Sequence, residues 1–171
     1  MTPDGISTQV VLADGASVQM HDAQCKDWEA LRCMYLGLTD RTRYLYFCAG
    51  VPANEAWAER FAALGRADGQ ISYALVVTVD DTVVGLARFD RGADGQSAEI
   101  GILLADEWQS RGLGRVVLNR LTDEARRRAI GVFTAHALWE NRRILRLVRS
   151  AFPHMDLECS QGHCEFVMYF D

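Results

Sequence analysis

The stretch AEIGILLADEWQSRGLGR, residues 98–115, decides the fold of this chain. Its first part, residues 98–104, is predicted to be a β-strand buried on both faces, because apolar residues continue at odd and even positions. Glu99 is the only charged residue in that strand. A carboxylate in such a setting is poorly solvated and suited to accept a proton, which makes Glu99 a candidate general base.

The strand is followed by a glycine-rich turn, residues 109–114, that runs directly into a predicted helix with an apolar face. Glycines let the backbone approach a phosphate closely, and the first N–H groups of a helix carry the positive end of its dipole. The motif therefore predicts an anion site, although a tight turn without a ligand also uses glycines. It lacks the Gly-Lys-Ser/Thr of nucleotide P-loops and the third glycine of dinucleotide-binding turns.

The composition is that of one folded domain, since 171 residues with 49% hydrophobic content suffice for a sizeable core. We expect a single domain over residues 1–171, with its core at about residues 8–170. The sequence shows no signal-peptide pattern and no apolar run long enough to span a bilayer. These features predict a soluble, cytoplasmic protein without a membrane partner.

Charge is distributed unevenly along the chain. The formal net charge is −5, yet residues 111–149 contain ten arginines and only three acidic residues. Positive charge is therefore concentrated around the glycine turn, and the rest of the chain is acidic. Aromatic residues are not interleaved with these arginines, so a small polyanion is favoured over nucleic acid as the partner.

The five cysteines are expected to be reduced structural thiols, because an odd number in a cytoplasmic chain favours the free state. Cys159 and Cys164 are the only close pair, and their spacing is not that of a zinc knuckle. His163 beside Cys164 invites a metal interpretation, but two neighbouring ligands cannot complete a tetrahedral site. We therefore predict no metal site.

Local patterns predict the elements on either side of the central stretch. Asp14-Gly15 and Gln161-Gly162 are turn signals within hairpins near the two ends of the chain. Asp22 is predicted to be the N-cap of a helix that runs to about Gly37. Further elements are expected at residues 40–48 (helix), 54–65 (helix), 71–79 and 82–89 (strands), 111–129 (helix), 132–138 (strand) and 142–151 (helix).

The turn resembles the acyl-CoA loop of the GNAT, or Gcn5-related, N-acetyltransferases. Their pattern Gln/Arg-x-x-Gly-x-Gly/Ala is met here by Gln109, Gly112 and Gly114. The predicted order of elements is also similar to that of the family over about residues 8–170. The resemblance implies an α/β (α+β) GNAT fold, in which helices flank a central mixed, mostly antiparallel sheet.

A closer likeness is found in two places. The stretch LGLTDRTRYLYF, residues 36–47, is similar to the Leu-Ser-x-x-Ser-x-Tyr-x-Arg-Phe stretch of bacterial protein-lysine acetyltransferases that act on acyl-CoA synthetases. Ala98-Glu99-Ile100 also resembles the Ala-Glu-Val of their central strand. The resemblance implies acetyl-CoA as cosubstrate and a lysine of a protein such as an acyl-CoA synthetase as acceptor.

The family also implies a role for each site residue. Glu99 would be the general base, and backbone N–H groups near Ile102, Leu103 and Leu104 would pair with the pantetheine arm and polarise the thioester. Asn141 matches a cofactor-contacting asparagine, although an N-cap on the following helix explains it equally well. The remaining cofactor-binding positions would lie in the turn and the start of the helix: Gln109, Ser110, Arg111, Gly112, Leu113, Gly114 and Arg115.

Three positions leave alternatives open. Glu99 could instead be an ion-pair partner of Arg88 on the neighbouring strand. His136, in the strand TAHAL, competes with Glu99 as base, although a lone strand histidine is more often a hydrogen-bonded core residue. Val148 stands where many GNAT enzymes place a tyrosine that protonates the leaving thiolate, so no side-chain acid is evident.

The combined interpretation is an acetyl-CoA-dependent N-acetyltransferase that modifies a primary amine, with a protein lysine as the expected acceptor. A small-molecule amine, such as a polyamine or an aminoglycoside, is the alternative acceptor. A non-catalytic acyl-CoA sensor is the alternative from a different class. The acidic remainder of the chain suits either a cationic metabolite or a basic protein surface, and the protein is expected to be a monomer or homodimer.

Overall fold

The computed structural model describes residues 7–170, which form an eight-stranded sheet and five α-helices. The strands are β1 (Thr8–Val11), β2 (Ser17–Asp22), β3 (Ser72–Val79), β4 (Thr82–Arg91), β5 (Ser97–Leu104), β6 (Val132–Leu138), β7 (Met155–Ser160) and β8 (His163–Tyr169). The helices are α1 (Trp28–Gly37), α2 (Asp40–Phe47), α3 (Glu55–Ala63), α4 (Leu113–Arg127) and α5 (Arg142–Ala151). Short 3₁₀ turns, Cys25–Asp27 and Asp106–Trp108, precede α1 and the glycine turn.

The sheet has the strand order β1-β2-β3-β4-β5-β6-β8-β7. Every neighbouring pair is antiparallel except β5 and β6, which run parallel. These two strands pair only where Ser97 to Glu99 face Val132 to Thr134. Beyond Glu99 they separate, and the gap between them becomes a cleft. The mixed, mostly antiparallel sheet flanked by helices confirms the predicted fold class.

Helices cover both faces of the sheet around β4 and β5. On one face, Arg128 at the end of α4 lies over the rings of Phe89 and Tyr73. Side chains alternate along a strand, so Arg88 and Gly101, which are paired across β4 and β5, lie on the opposite face. That face carries α1–α3: Leu64, after α3, accepts a hydrogen bond from Arg88, and Tyr46 of α2 lies against Gly101.

The helix after the glycine turn is anchored by the apolar face that its sequence predicts. Leu113, Val117 and Leu121 are all fully buried. At about 25 cal/mol per Å² of apolar surface, each such side chain contributes roughly 1.5–3 kcal/mol relative to an exposed one. The start of α4, and with it the turn, is therefore held firmly against the sheet. None of the helices within residues 7–170 is long and apolar enough to cross a membrane.

The predicted N-cap at Asp22 is wrong. Asp22 is the last residue of β2, and its carboxylate accepts a hydrogen bond from the Tyr73 hydroxyl at 2.7 Å. The helix begins later, after a 3₁₀ turn in which the Asp27 carboxylate accepts the backbone N–H of Gln24. A short polar residue at a strand end and one at a helix start look alike in sequence, and strand pairing with β3 decides between them here.

The expectation of five reduced thiols is also wrong, because Cys159 and Cys164 form a disulfide. The two-residue turn Gln161-Gly162 sets the register of β7 and β8 so that these cysteines face each other directly. Their Cα atoms are 4.1 Å apart, close to the ~4.5 Å spacing of a non-hydrogen-bonded cross-strand pair. Cys25, Cys33 and Cys48 are free.

We expect the substitution Cys159→Ser to lower the free energy of unfolding by about 2 kcal/mol, because it releases a short closed loop in the unfolded chain. For a domain of this size the corresponding drop in Tm is about 4–8 °C. Thermal unfolding without reductant measures it, with Cys33→Ser, at an exposed free cysteine, as the matched control. Equal Tm values for the two variants, or five titratable thiols in the unreduced denatured protein, would contradict the disulfide.

Candidate active site

The separated parts of β5 and β6 open into a cleft with a volume of about 870 Å³. This size lies within the range of small-molecule sites, which is about 300–1,000 Å³. The cleft is bordered by α2, by the glycine turn and the start of α4, and by α5. It contains ten of the twelve predicted site residues: Glu99, Ile102, Leu103, Leu104, Gln109, Ser110, Gly112, Gly114, Arg115 and Asn141.

Strand β5 exposes free backbone groups to the cleft. In an antiparallel ladder every second residue bonds its neighbour, and the residues between them point away. The N–H of Ala105 donates to Val84 of β4 at 2.8 Å, so Leu103 also faces β4, where it is paired with Leu86. The free groups that point towards the cleft are then the N–H and C=O of Ile102 and the N–H of Leu104, because the Leu104 oxygen accepts a hydrogen bond from the Gln109 side chain. They suit a role in pairing with an extended amide chain, whereas those of Leu103 do not.

The glycine turn has the geometry of an anion site. Ser110 and Gly112 have φ values of 59° and 84°, in the left-handed region, and this bends the chain abruptly into α4. The first helical hydrogen bonds are those from the N–H groups of Arg115 and Val116 to the Gly112 oxygen. Within residues 7–170, no backbone oxygen accepts the N–H groups of Leu113 and Gly114. These donors are available to a phosphate at the cleft.

The side chain of Gln109 supports the site from within the protein. Its amide nitrogen donates to the Leu104 oxygen at 2.9 Å and to the Thr42 hydroxyl at 3.2 Å. Its amide oxygen accepts a hydrogen bond from Arg143. Gln109 thus connects the end of β5 to α2 and α5, so its polar groups are occupied by protein partners rather than directed at a ligand.

Asp106, one turn before Gln109, fixes the other side of this junction. Its carboxylate accepts hydrogen bonds from the Thr39 backbone and hydroxyl, at 3.1 and 2.6 Å, and from the Thr42 hydroxyl at 2.7 Å. Burial alone would raise the pKa of this carboxyl group, but these hydrogen bonds outweigh it and hold the pKa below its ordinary value. The start of α2 is thereby tied to the chain that leads into the glycine turn.

Two predicted cofactor residues lie outside the cleft. The Arg111 guanidinium donates to Asp14 at 2.7 Å and lies 4.1 Å from the centre of the Trp108 ring. Leu113 is fully buried in the core, so only its backbone N–H can serve a ligand. The Arg111 side chain is held by a partner that lies 97 residues earlier in the chain, in the β1–β2 turn.

Arginines of α4 and α5 supply positive charge at the cleft. Arg115 lines it and donates to the Ser150 hydroxyl at 3.0 Å. Arg143 and Arg146 also line it, and neither was predicted individually, although the excess of arginine in residues 111–149 indicated their region. Asn141 lines the cleft as well, and its side chain accepts the N–H of Ile144 at 3.3 Å, so it is the N-cap of α5.

Glu99 lies at the point where β5 and β6 separate, opposite Asp90 on β4 and Thr134 on β6. It is exposed to the cleft, so the prediction of a strand buried on both faces is wrong at this residue. The Arg88 guanidinium is paired with Asp90 and Leu64 instead, which excludes the proposed Arg88 ion pair. Among residues 7–170, no side chain forms a salt bridge or hydrogen bond with the Glu99 carboxylate.

His136 and Val148, the two other positions in question, also line the cleft. His136 lies on the same face of the sheet as Glu99, because it is two residues beyond Thr134 on β6. It is exposed, so it is not a buried core histidine. Val148 is only 1% exposed and offers no proton donor.

Tyr46, which was not predicted as a site residue, reaches the cleft from α2. Its hydroxyl lies 3.0 Å from the position that a Cβ atom would occupy on Gly101. Burial raises the pKa of Tyr46 to about 12; Arg88 lowers it and Asp90 raises it further. The hydrophobic periodicity can assign Tyr46 to a helix. It cannot show that this helix crosses β5 at Gly101, the one residue of β5 without a side chain.

Comparison with known proteins agrees with this architecture. The sequence matches the family model of the Acetyltransferase (GNAT) family over residues 28–152. This match covers most of the chain and includes β3–β6, the glycine turn and α4, and the chain therefore belongs to the GNAT family. A search of curated protein sequences finds no significant match.

Solved structures with the same fold differ in their stated activities. The GNAT domain of S. lividans PAT is 24% identical, with a TM-score of 0.83 and coverage of 96% of this chain and 97% of that one. Spermidine N-acetyltransferase from Vibrio cholerae, solved with CoA and spermine, is 17% identical, with a TM-score of 0.66 and coverage of 90% and 94%. A cAMP-binding acyltransferase from Mycobacterium smegmatis is 18% identical, with a TM-score of 0.67, and the match covers 98% of this chain but 48% of that chain.

Proposed function

We propose that this protein transfers the acetyl group of acetyl-CoA to a primary amine, with a protein lysine as the acceptor and Glu99 as the general base. The observation that carries the proposal is a single cleft that combines three features: free helical N–H donors at the glycine turn, free backbone groups on β5, and an unpaired carboxylate where β5 and β6 separate. Membership of the GNAT family supports acetyl-CoA as the donor.

Different groups in the cleft would bind different parts of acetyl-CoA. The pyrophosphate of acetyl-CoA would bind the N–H groups at the start of α4, with Arg115 and Arg146 neutralising its charge. The pantetheine amides would pair with the free N–H and C=O groups of Ile102 and the free N–H of Leu104, as a further strand would. This arrangement directs the thioester from the glycine turn towards Glu99.

The reaction then needs one proton transfer before the bond-forming step. An amine with an ordinary lysine pKa of about 10.4 is protonated at neutral pH. The Glu99 carboxylate, directly or through a water molecule, accepts a proton from this ammonium group, and the neutral nitrogen attacks the thioester carbonyl carbon. A backbone N–H of β5 stabilises the negative charge that develops on the carbonyl oxygen.

Collapse of the tetrahedral intermediate breaks the carbon–sulfur bond and releases CoA as a thiolate. Val148 cannot supply a proton to it. A thiol has a pKa of about 8.5, so its thiolate is a good leaving group without a side-chain acid. The nitrogen gives up its remaining excess proton to solvent and the thiolate takes up a proton from solvent, so the products are the N-acetylated amine and CoA.

Two observations support a protein lysine over a small amine. Residues 36–47 resemble the corresponding stretch of protein-lysine acetyltransferases. Glu99 and His136 are also exposed, on a side of the sheet where β6, β8 and β7 present polar residues such as Glu165 to solvent. A lysine on a protein surface can reach a base that is open in this way, whereas sites for small amines enclose most of their ligand.

A screen with separate classes of acceptor tests the proposal. The purified protein is incubated with acetyl-CoA and either an acyl-CoA synthetase, a mixed protein extract, a polyamine or an aminoglycoside, and both CoA release and acetylated product are measured. Acetylated lysines with the protein acceptors are the expected result. Acetylation of the small amines alone would contradict the lysine assignment. Binding of acetyl-CoA without transfer to any acceptor would instead identify a sensor.

A further inference from the structure

Gly101 is the one residue of the open part of β5 that has no side chain, and Tyr46 fills the space beside it. A Cβ atom on Gly101 would lie 3.0 Å from the Tyr46 hydroxyl oxygen and 3.6 Å from two of its ring carbons. A Cβ atom at these distances would crowd the Tyr46 hydroxyl, so the ring packs this close to the strand because residue 101 is a glycine. Tyr46 therefore forms the wall of the cleft beside this point of β5.

The ring of Tyr46 is held in place by other aromatic side chains. It packs edge-on against Phe47, with ring centres 4.9 Å apart, and against Phe61, with ring centres 6.4 Å apart. Phe61 is fully buried in the core. Aromatic pairs of this geometry are favourable beyond their buried area, so the ring is a fixed wall and does not swing freely into the cleft.

The hydroxyl group of Tyr46 has no hydrogen-bond partner in the part of the chain that the structure describes. By contrast, the hydroxyl groups of Tyr35, Tyr73 and Tyr169 each have a partner. Burial raises the pKa of Tyr46 to about 12, so the group stays neutral at physiological pH. A neutral aromatic wall suits contact with an uncharged acyl group.

The position of Gly101 places this wall next to the reacting carbon. Glu99 and Gly101 are two residues apart and lie on the same face of the sheet. In the proposed function the pantetheine arm reaches β5 at Ile102, and the amine is deprotonated at Glu99. The thioester carbonyl must then lie between these residues, and its acyl chain must lie beside Gly101.

We propose that Tyr46 determines the acyl-chain length, because its ring and hydroxyl form the wall that the end of an acyl chain beside Gly101 would meet. This inference rests on the proposed function for the orientation of the thioester. It adds a specificity-determining residue from α2, outside the glycine turn and β5.

The inference is tested by the acyl-CoA selectivity of the wild type and of the variants Tyr46→Phe and Tyr46→Ala. One methylene group that does not fit a pocket changes kcat/KM by about 10- to 200-fold, so the wild type should prefer acetyl-CoA over propionyl-CoA by a factor in this range. Tyr46→Phe removes the atom nearest to Gly101 and should raise the propionyl-to-acetyl ratio by about tenfold or more. Tyr46→Ala should raise the butyryl-to-acetyl ratio as well.

Two further variants test whether the space beside Gly101 is responsible. In the Tyr46→Phe background, Gly101→Ala adds a methyl group to the vacated space and should return the propionyl-to-acetyl ratio towards the wild-type value. Tyr44→Phe is the matched control, because Tyr44 lies in the same helix and does not line the cleft. It should leave the ratio unchanged.

Calorimetric binding of acetyl-CoA, propionyl-CoA and butyryl-CoA, without an acceptor, separates this inference from the proposed function. If the protein acetylates no amine, the inference still predicts that Tyr46→Ala tightens butyryl-CoA binding relative to acetyl-CoA, and that Tyr46→Phe does the same for propionyl-CoA. Wild-type selectivity in a folded Tyr46→Phe enzyme would overturn the inference, even if Tyr46→Ala fails to fold. A wild type that uses butyryl-CoA as well as acetyl-CoA, or variants that change only the KM of the amine, would also overturn it.

Discussion

Replacement of Glu99 by glutamine is expected to lower kcat by ~10²–10⁴-fold at pH 7, the usual cost of losing a general base. The affinity for acetyl-CoA should change little, because Glu99 lies where β5 and β6 separate, whereas the glycine turn follows the other end of β5. The melting temperature should also stay nearly constant, since Glu99 is exposed and Arg88 is paired with Asp90. Steady-state kinetics, calorimetric titration and thermal unfolding measure these three quantities.

The size of the defect should depend on pH. As the pH rises, more of the acceptor amine is already neutral and no longer needs a base. The rates of wild type and Glu99→Gln should therefore converge near the pKa of a lysine, about 10.4. A deficit that is the same at every pH would indicate that Glu99 positions the substrate without accepting a proton.

Two variants control for the loss of charge. Glu165→Gln changes another exposed glutamate, on β8 opposite His136 and outside the cleft lining, and should retain the wild-type rate. His136→Asn removes the competing base from the same face as Glu99. If this variant, and not Glu99→Gln, has the pH-dependent loss of rate, then His136 is the base.

The substitution Gly114→Asp is expected to weaken CoA binding by about 10- to 150-fold, the value of a hydrogen bond to a charged group. A carboxylate at this position occupies the space in front of the helix start and repels the pyrophosphate. Folding should be preserved, because the nearest atom to a new Cβ is the end of the Leu147 side chain at 3.3 Å. The same change at Gly112 is less informative, since its φ of 84° adds backbone strain.

Calorimetric titration with CoA measures this loss of affinity. Gly50→Asp adds the same charge in open space outside the cleft and should bind CoA as the wild type does. Gly114→Ala adds the Cβ atom without the charge and should give an intermediate affinity. Wild-type affinity in a folded Gly114→Asp protein would remove the glycine turn from the binding site.

Features that depend on neighbouring residues could be predicted from the sequence. The apolar repeat of α4 predicted its buried face, and the bounds predicted for β6 are those observed. Asn54 is the N-cap of α3, and the turns at Asp14-Gly15 and Gln161-Gly162 close hairpins. In each case the signal lies within a few residues of the element that it specifies.

Features that depend on distant contacts could not be predicted. Apolar residues on both sides of Glu99 predicted a buried strand, yet β6 diverges from β5 at this residue and leaves it exposed. The pairing of Arg111 with Asp14 and the position of Tyr46 over Gly101 both depend on how separate parts of the chain pack. The disulfide depends on the register of β7 and β8, which the spacing of Cys159 and Cys164 alone does not determine.

Transfer of an isotopically labelled acetyl group from acetyl-CoA to a lysine-containing protein acceptor, followed by mass spectrometry at pH 7, tests the central claim most directly. Wild type and Glu99→Gln are compared at saturating acetyl-CoA, so that differences in cofactor binding do not contribute. The account predicts label on lysine nitrogen with the wild type and a rate at least ~10²-fold lower with Glu99→Gln. Equal rates of labelling with the two proteins, or no labelling by a wild type that binds acetyl-CoA, would contradict it.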